Sequence, residues 1–208
     1  MGTYSKSNFG QISGKVGNAV GGKWRGIDYL RSLPSKSKRA ASPDQLAVQA
    51  KFALAAATLS PIKDVLNVGF ADAKLSGISG YNMAVKLFIA NSISGAYPNL
   101  TVDFQSLQIS KGSLGKLLSP QIGYNGQFYL TWAANQSRIA FIDDHVLALV
   151  YNQTADMFVL DESAKRADAS VTFDIGSANG DVIHAWVFCL KRDGKSVSSS
   201  QYLGTITL

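Results

Sequence analysis

The 208-residue sequence has little charge, one cysteine and two histidines. Charged residues make up 16%, well below the roughly 25% of ordinary soluble proteins. This shortage is explained if neighbouring copies cover much of the surface. The single cysteine, Cys189, excludes a disulfide within the chain, and its apolar surroundings predict a buried small side chain.

Long apolar runs are also absent from the sequence. No stretch approaches the roughly 18 residues of a membrane-spanning helix, so no transmembrane segment is predicted. Residues 1–30 have no apolar run of the length found in secretory signal peptides, so none is predicted. The sequence leaves the localisation open, and our functional hypothesis favours an extracellular surface or a particle.

Positive charge is concentrated at the N-terminus. Residues 1–40 carry eight basic groups against one acid, a net +7, whereas the other 168 residues carry 12 basic and 13 acidic groups, a net −1. Basic segments commonly meet nucleic acid, anionic membranes or acidic protein surfaces. The residues that we expect to make such contacts are Lys15, Lys23, Arg25, Arg31, Lys36, Lys38 and Arg39.

The same N-terminal stretch alternates glycines with apolar residues at a spacing that fits neither a long helix nor a plain strand. We interpret residues 1–41 as an extended arm, with short extended pieces at about 8–13, 15–20 and 22–33. Such pieces can add strands to a sheet in their own subunit or in another. A solvated linker is the alternative, but linkers rarely carry large aromatic side chains. The expected buried anchors are Phe9, Ile12, Val16, Val20, Trp24 and Tyr29.

A small helical segment is predicted over residues 42–97. Ser42, Pro43 and Gln45 form a helix-start pattern, and the helix is expected over 43–59, with one face made by Leu46, Ala50, Ala53, Leu54 and Ala57. Two further helices are expected, over 61–68 and from Ser79 to about Asn91.

From about residue 98 the hydrophobic pattern changes to a period of two, which is typical of strands. Seven strands over about 110 residues favour an immunoglobulin-like or fibronectin-like antiparallel β-sandwich, so the predicted class is α+β. An Asp-Gly pair at 193–194 indicates a hairpin turn. The strands are expected at 100–110, 126–133, 146–152, 156–160, 168–174, 181–191 and 196–207.

No pattern in the sequence combines a nucleophile, a base and an orienting group, so we predict no enzyme, no catalytic residue, no metal site and no cofactor. Asp143, Asp144 and His145 offer possible metal ligands, but a turn between two strands is the favoured interpretation. His184 and Cys189 are five residues apart in one predicted strand, which places them on opposite faces. Tyr124, Phe128, Tyr129, Trp132 and Tyr151 fit core packing better than a sugar-binding face.

The run from Gly10 to Pro34 (GQISGKVGNAVGGKWRGIDYLRSLP), the helix start QLAVQAKF at 45–52 and the segment 200–204 (SQYLG) resemble a bacterial family of unknown function. Its members have about 210 residues and a glycine-rich N-terminal arm. Similar arms occur in phage-like and surface structures. The family resemblance implies no activity, so it assigns no catalytic or binding residue to this chain.

These observations predict a structural, self-assembling subunit of a filament, a surface layer or a virion-like particle. The arm would add strands to a neighbouring copy of the chain, and the sandwich would form the body. The alternative is a binding module that holds nucleic acid or another anionic polymer through the basic arm, or a glycan through the sandwich aromatics. The expected partner is therefore the chain itself, with nucleic acid as the less favoured candidate.

Overall fold

The chain has mixed α+β structure with antiparallel sheets, which confirms the predicted class. It divides into two compact units, residues 1–42 and 43–208. The further division that we predict between a helical segment and a sandwich stays a prediction. The computed structural model describes residues 2–3, 12–24, 26–35, 40–71, 77–176 and 178–208.

The N-terminal unit is a four-stranded antiparallel sheet rather than the extended arm that we predicted. Tight turns connect the second strand to the third and the third to the fourth, which favours their pairing. Gly17 and Gly26 adopt positive φ values of 58° and 83°, which two-residue hairpin turns require. The strands, in the order β1-β4-β3-β2, are β1 (Gly2–Thr3), β2 (Gly14–Val16), β3 (Ala19–Trp24) and β4 (Ile27–Ser32).

Three helices open the second unit: α1 (Pro43–Leu59), α2 (Lys63–Gly69) and α3 (Gly80–Asn91). All three predicted helices are confirmed, with small differences at the start of α2. The Ser79 hydroxyl accepts a hydrogen bond from the Asn82 amide at 3.2 Å, which caps α3 as the sequence predicts.

The predicted core face of α1 is wrong in part, although Leu54 packs against the buried cluster as predicted. Leu46, Ala53 and Ala57 are exposed, whereas Ala55 and Leu59 are buried. The faces of α1 differ too little in hydrophobicity for the sequence to identify the buried one, because alanine occurs on every side of the helix.

The remaining strands form three sheets. Strands β5 (Ile93–Ala96) and β6 (Asn99–Val102) form a hairpin. A three-stranded sheet has the order β11-β8-β7, and a four-stranded sheet has the order β10-β9-β12-β13. Their strands are β7 (Leu118–Tyr124), β8 (Phe128–Ala133), β9 (His145–Asn152), β10 (Met157–Asp161), β11 (Ser170–Phe173), β12 (Val182–Leu190) and β13 (Gln201–Thr207).

Most predicted strands coincide with observed ones, with one shortened strand and two strands that the prediction missed. The predicted strand over 100–110 ends at Val102, and the prediction missed β5 and β7. The predicted Asp-Gly hairpin is present: the Gly194 amide donates to the Lys191 carbonyl at 2.8 Å, and Gly194 has a φ of 68°.

The four-stranded sheet is covered on both faces. In β9, Leu147, Leu149 and Tyr151 pack with buried residues of the three helices, whereas Val146 and Ala148 pack with residues of β8 and β11. The alternation of strand side chains therefore places both sets of residues in a core, which explains why nearly all of β9 is buried.

The second unit is thus a pair of packed sheets with helices on the outer face of the larger one. The specific immunoglobulin-like or fibronectin-like subclass stays a prediction. Among the described residues, no helix combines the length and hydrophobicity needed to cross a lipid bilayer.

Candidate functional site

The sheet of the N-terminal unit places several predicted contact residues on one face. In the observed register Lys15 is opposite Val20, Val20 is opposite Arg31, and Gly22 is opposite Tyr29. Directly paired residues of antiparallel strands point to the same side. We call the resulting surface the aromatic–basic face; it consists of Lys15, Val20, Trp24, Ile27, Tyr29 and Arg31.

Two consecutive glycines allow side chains to cross this sheet closely. A Cβ atom at Gly22 would lie 2.9 Å from the Tyr29 hydroxyl oxygen, so the Tyr29 side chain lies across Gly22. On the opposite face, a Cβ atom at Gly21 would collide with the Ile12 main chain. The Gly-Gly pair therefore places Tyr29 and Ile12 on opposite sides of β3.

The aromatic–basic face is largely open. Trp24 and Ile27 are 58% and 51% exposed, and the two basic residues of the face are also exposed. Val16, on the other face, is 59% exposed. In the described part of the chain, more than half of each of these three apolar side chains is therefore exposed.

The predicted contact residues divide between the two faces. Val20, Trp24, Tyr29, Lys15 and Arg31 belong to the aromatic–basic face, whereas Ile12, Val16 and Lys23 lie on the other side. The prediction missed Ile27, although its position directly after Gly26 places it opposite Trp24 in a two-residue hairpin. The residues that lie outside the described part of the chain are Phe9, Arg25, Lys36, Lys38 and Arg39.

The favoured turn is present at residues 141–144, directly before β9, whereas His145 is the first residue of β9. The Asp144 amide donates to the Phe141 carbonyl at 3.2 Å, and the Asp144 carboxylate accepts from the Phe141 amide at 2.9 Å. Asp143 pairs with Arg192 at 2.8 Å, and this hydrogen bond lowers the pKa of the Asp143 carboxyl. Among the described residues, no group of three or more acidic, histidine or cysteine side chains could hold a metal ion.

Asp144 is part of a buried ion pair that the sequence analysis missed. Its carboxylate lies 3.3 Å from the Arg166 guanidinium, and both side chains are fully buried. Arg166 also donates to the carbonyls of Gly115 and Lys116, and to the Asn135 side chain at 2.7 Å. This arrangement joins three loops, which indicates a structural role.

His184 lies on the face of the four-stranded sheet that the helices cover. Its ring nitrogens are 2.8 Å from the Tyr202 hydroxyl and 3.0 Å from the Gln153 side-chain oxygen. Its ring is 4.4 Å from that of Phe104, centre to centre. Burial lowers the pKa of His184 because it disfavours the charged form. These contacts account for His184 as a hydrogen-bonded core residue.

Cys189 packs on the opposite face of β12, among the residues between the two sheets, as strand alternation predicts. Burial raises the pKa of its thiol to about 11, so the reactive thiolate is disfavoured at neutral pH. Cys189 and His184 therefore do not form a nucleophile and base pair.

The aromatic residues considered for sugar binding do not form one surface. Phe128, Trp132 and Tyr151 are buried, and Tyr124 and Tyr129 are exposed. Tyr129 crosses Gly123, where a Cβ atom would collide with its ring. Core packing is thus the role of three of the five residues.

A shallow cavity of about 300 Å³ lies beside the ends of β9 and β12 and includes His145, Glu162, Lys191 and Arg192. Both of its long cationic side chains are paired with neighbouring carboxylates: Lys191 is 3.2 Å from Asp193, and Arg192 pairs with Asp143. An anion in this cavity would therefore bind weakly, because both cations already have a carboxylate partner.

The comparison with curated proteins finds no match for this chain. Residues 11–204 match the family of unknown function DUF6266, and this range covers strands β2, β3 and β4 of the N-terminal sheet, the helices and all of the packed sheets except the end of β13. This match confirms the family resemblance that the glycine-rich N-terminus and the chain length predict. The chain therefore belongs to the family of unknown function DUF6266.

Proposed function

We propose that this protein is a structural, self-assembling subunit that associates with further copies through its N-terminal sheet. One observation carries the proposal. Among the described residues of the N-terminal unit, Gly21 alone is buried, whereas Val16, Trp24 and Ile27 expose more than half of their surface. A sheet with apolar side chains and so little core of its own gains stability from a partner surface.

The expected gain from such a contact is substantial. Complete burial of one large apolar side chain stabilises by about 1.5–3 kcal/mol, and the exposed part of Trp24 and Ile27 is available for this. Lys15 and Arg31 would lie at the rim of the contact, where charges select an acidic neighbour more than they add affinity.

Strand addition is the mode of association that we favour. Strand β2 (Gly14–Val16) lies at one edge of the sheet order, and within the described residues no strand pairs with its outer side. An open edge of this kind is a template for a strand from another chain. The packed sheets of residues 43–208, which we propose to be immunoglobulin-like, would form the body of the particle, filament or surface layer.

Sedimentation velocity over a range of protein concentrations tests the proposal. Trp24→Ser combined with Ile27→Ser should shift association to concentrations at least about tenfold higher, because both apolar contacts are lost. Ile139→Ser is the matched control, since Ile139 is 57% exposed but belongs to the second unit. A wild-type chain that stays monomeric at every concentration would contradict the proposal.

Tryptophan fluorescence gives an independent measurement. Trp132 and Trp186 are buried, so acrylamide should quench mainly Trp24 in the free subunit. Quenching should decrease as the concentration rises if association covers Trp24. Constant quenching in an associated sample would show that another surface makes the contact.

Binding of single-stranded nucleic acid is the second candidate. Two aromatic residues and two cations share the aromatic–basic face. Proteins that bind single-stranded nucleic acid combine aromatic side chains, on which bases stack, with a basic groove. Fluorescence anisotropy with a labelled oligothymidylate would test this candidate at low and at physiological salt. Affinity should fall steeply with salt and in the variant Lys15→Glu, Arg31→Glu; salt-independent binding would count against it.

A further inference from the structure

An apolar stripe on α1 continues beyond the part of the helix that the core covers. Val48, Phe52, Ala55 and Leu59 follow the spacing of four, three and four residues that aligns side chains on one side of a helix. Ala55 and Leu59 are fully buried, whereas Val48 and Phe52 are both 54% exposed. The N-terminal half of the stripe is thus open to a partner.

A groove beside Phe52 widens this open surface. It has a volume of about 340 Å³ and lies between α1 and α3, where Val85 and Ile89 provide apolar walls and Asn82 and Lys86 provide polar atoms. The surface therefore combines an apolar centre with polar groups at its border.

Two opposite charges flank Val48 in a self-complementary arrangement. A helix turns by about 100° and rises about 1.5 Å per residue. Asp44 and Lys51 consequently lie on the same side of the stripe, Asp44 about 6 Å before Val48 and Lys51 about 4.5 Å after it. Neither residue takes part in the ion pairs found among the described residues.

We infer that the first half of α1 is a two-fold contact with the same half-helix of a second copy, the two helices running antiparallel and crossing at Val48. In that arrangement Asp44 of each copy lies opposite Lys51 of the other, which forms two ion pairs. Val48 packs against its equivalent, and Phe52 and the groove extend the apolar contact. A two-fold contact is isologous, so it requires this self-complementarity.

Cysteine cross-linking in the full-length chain tests the predicted crossing point. Val48→Cys should give a disulfide-linked dimer under mild oxidation, because residues at a two-fold axis approach within the reach of a disulfide. The natural Cys189 is buried and does not interfere. Gln49→Cys is the control, since its neighbouring position points about 100° away from the contact.

Charge reversal tests the pairing. Asp44→Lys and Lys51→Asp should each weaken the dimer by about tenfold, because both cross-copy pairs become repulsive. The combined variant Asp44→Lys, Lys51→Asp should restore the wild-type dimer constant, since it exchanges the two charges. Sedimentation equilibrium would measure all three, with Trp24→Ser and Ile27→Ser included to suppress association through the N-terminal sheet.

The inference is overturned if Val48→Cys links no more efficiently than Gln49→Cys, or if the combined charge exchange fails to restore the dimer. A monomeric chain in the presence of an intact surface would also overturn it, and would favour a different protein as the occupant. This result is separate from the proposed function, because the α1 contact and the N-terminal sheet are varied independently.

Discussion

Arg166 shows how much a single buried charge depends on its partner. The guanidinium and the Asp144 carboxylate are both shielded from water, and each still has one polar atom without a hydrogen-bond partner, Nε of Arg166 and Oδ1 of Asp144. Loss of one charge leaves the other isolated in a low-dielectric interior. The intact pair therefore contributes little net stability, but removal of either charge is costly because the other stays buried.

We predict that Arg166→Met lowers the free energy of unfolding by about 3–5 kcal/mol, because it leaves Asp144 buried without a counter-charge. Urea denaturation would measure the loss. Adding Asp144→Asn should recover part of it, since the isolated charge is then removed. Arg192→Ala is the control, because its pair with Asp143 is solvent-exposed and should contribute little.

His184 should make stability depend on pH. Its folded pKa lies below the usual 6.5, so the unfolded chain takes up the proton first as the pH falls. The contribution of His184 is complete above about pH 6.5 and is lost as the pH falls through the lowered folded pKa.

We predict that His184→Gln flattens the dependence of the urea midpoint on pH between about 7 and 5, since glutamine does not titrate. His145 is present in both proteins and cancels in the comparison. An unchanged pH dependence in the variant would contradict the role of His184.

At the scale of elements, helices were more predictable than strands. Helix boundaries follow from local caps and prolines, and α1 and α3 begin and end close to the expected residues. The predicted strand over 100–110 is interrupted because the Asp103 side chain accepts from the Gln105 amide and the Ser106 hydroxyl. This local turn competes with strand pairing, and the alternating pattern alone does not reveal it.

The sequence predicts the aromatic and basic residues of the candidate site but not the four-stranded sheet that carries them. Glycine spacing identified the N-terminal residues as a separate region with aromatic and basic contacts, but the four-stranded pairing depends on a register that several glycine turns could satisfy. The ion pair between Asp144 and Arg166 was missed because contacts between loops distant in sequence leave no periodic signal.

Gly69 gives a prediction opposite to helix propensity. Alanine is favoured over glycine within a helix, yet a Cβ atom at this last residue of α2 would collide with the Ile109 carbonyl. We expect Gly69→Ala to destabilise the chain by about 1–3 kcal/mol through overpacking, as measured by thermal or urea unfolding. Gln49→Ala, at an exposed position of α1, should change stability by less than about 0.5 kcal/mol.

At the scale of the whole molecule, the hydrophobic core belongs to the second unit. The three clusters of buried apolar residues, together with the partly buried residues packed on them, lie within residues 54–208. Within the described residues, the N-terminal sheet contributes no member to these three clusters.

We predict that a chain starting at Pro43 folds with a free energy of unfolding, from urea denaturation, within about 0.5 kcal/mol of the full-length value, because the described core clusters lie within residues 54–208. Near-ultraviolet circular dichroism should retain the signals of Trp132 and Trp186, which are buried in the second unit. A collapsed spectrum without fixed aromatic signals would contradict this independence.

The doubly covered position of β9 and β12 has a consequence for synthesis of the chain. The helices precede both strands in sequence, and β12 pairs with β9 only after the residues up to 190 have been made. The apolar faces of α1, α2 and α3 thus leave the ribosome well before their sheet exists. We expect a nascent chain of this protein to expose the apolar surface of its helices during most of its translation. Chaperones are therefore expected to bind it until β12 is complete.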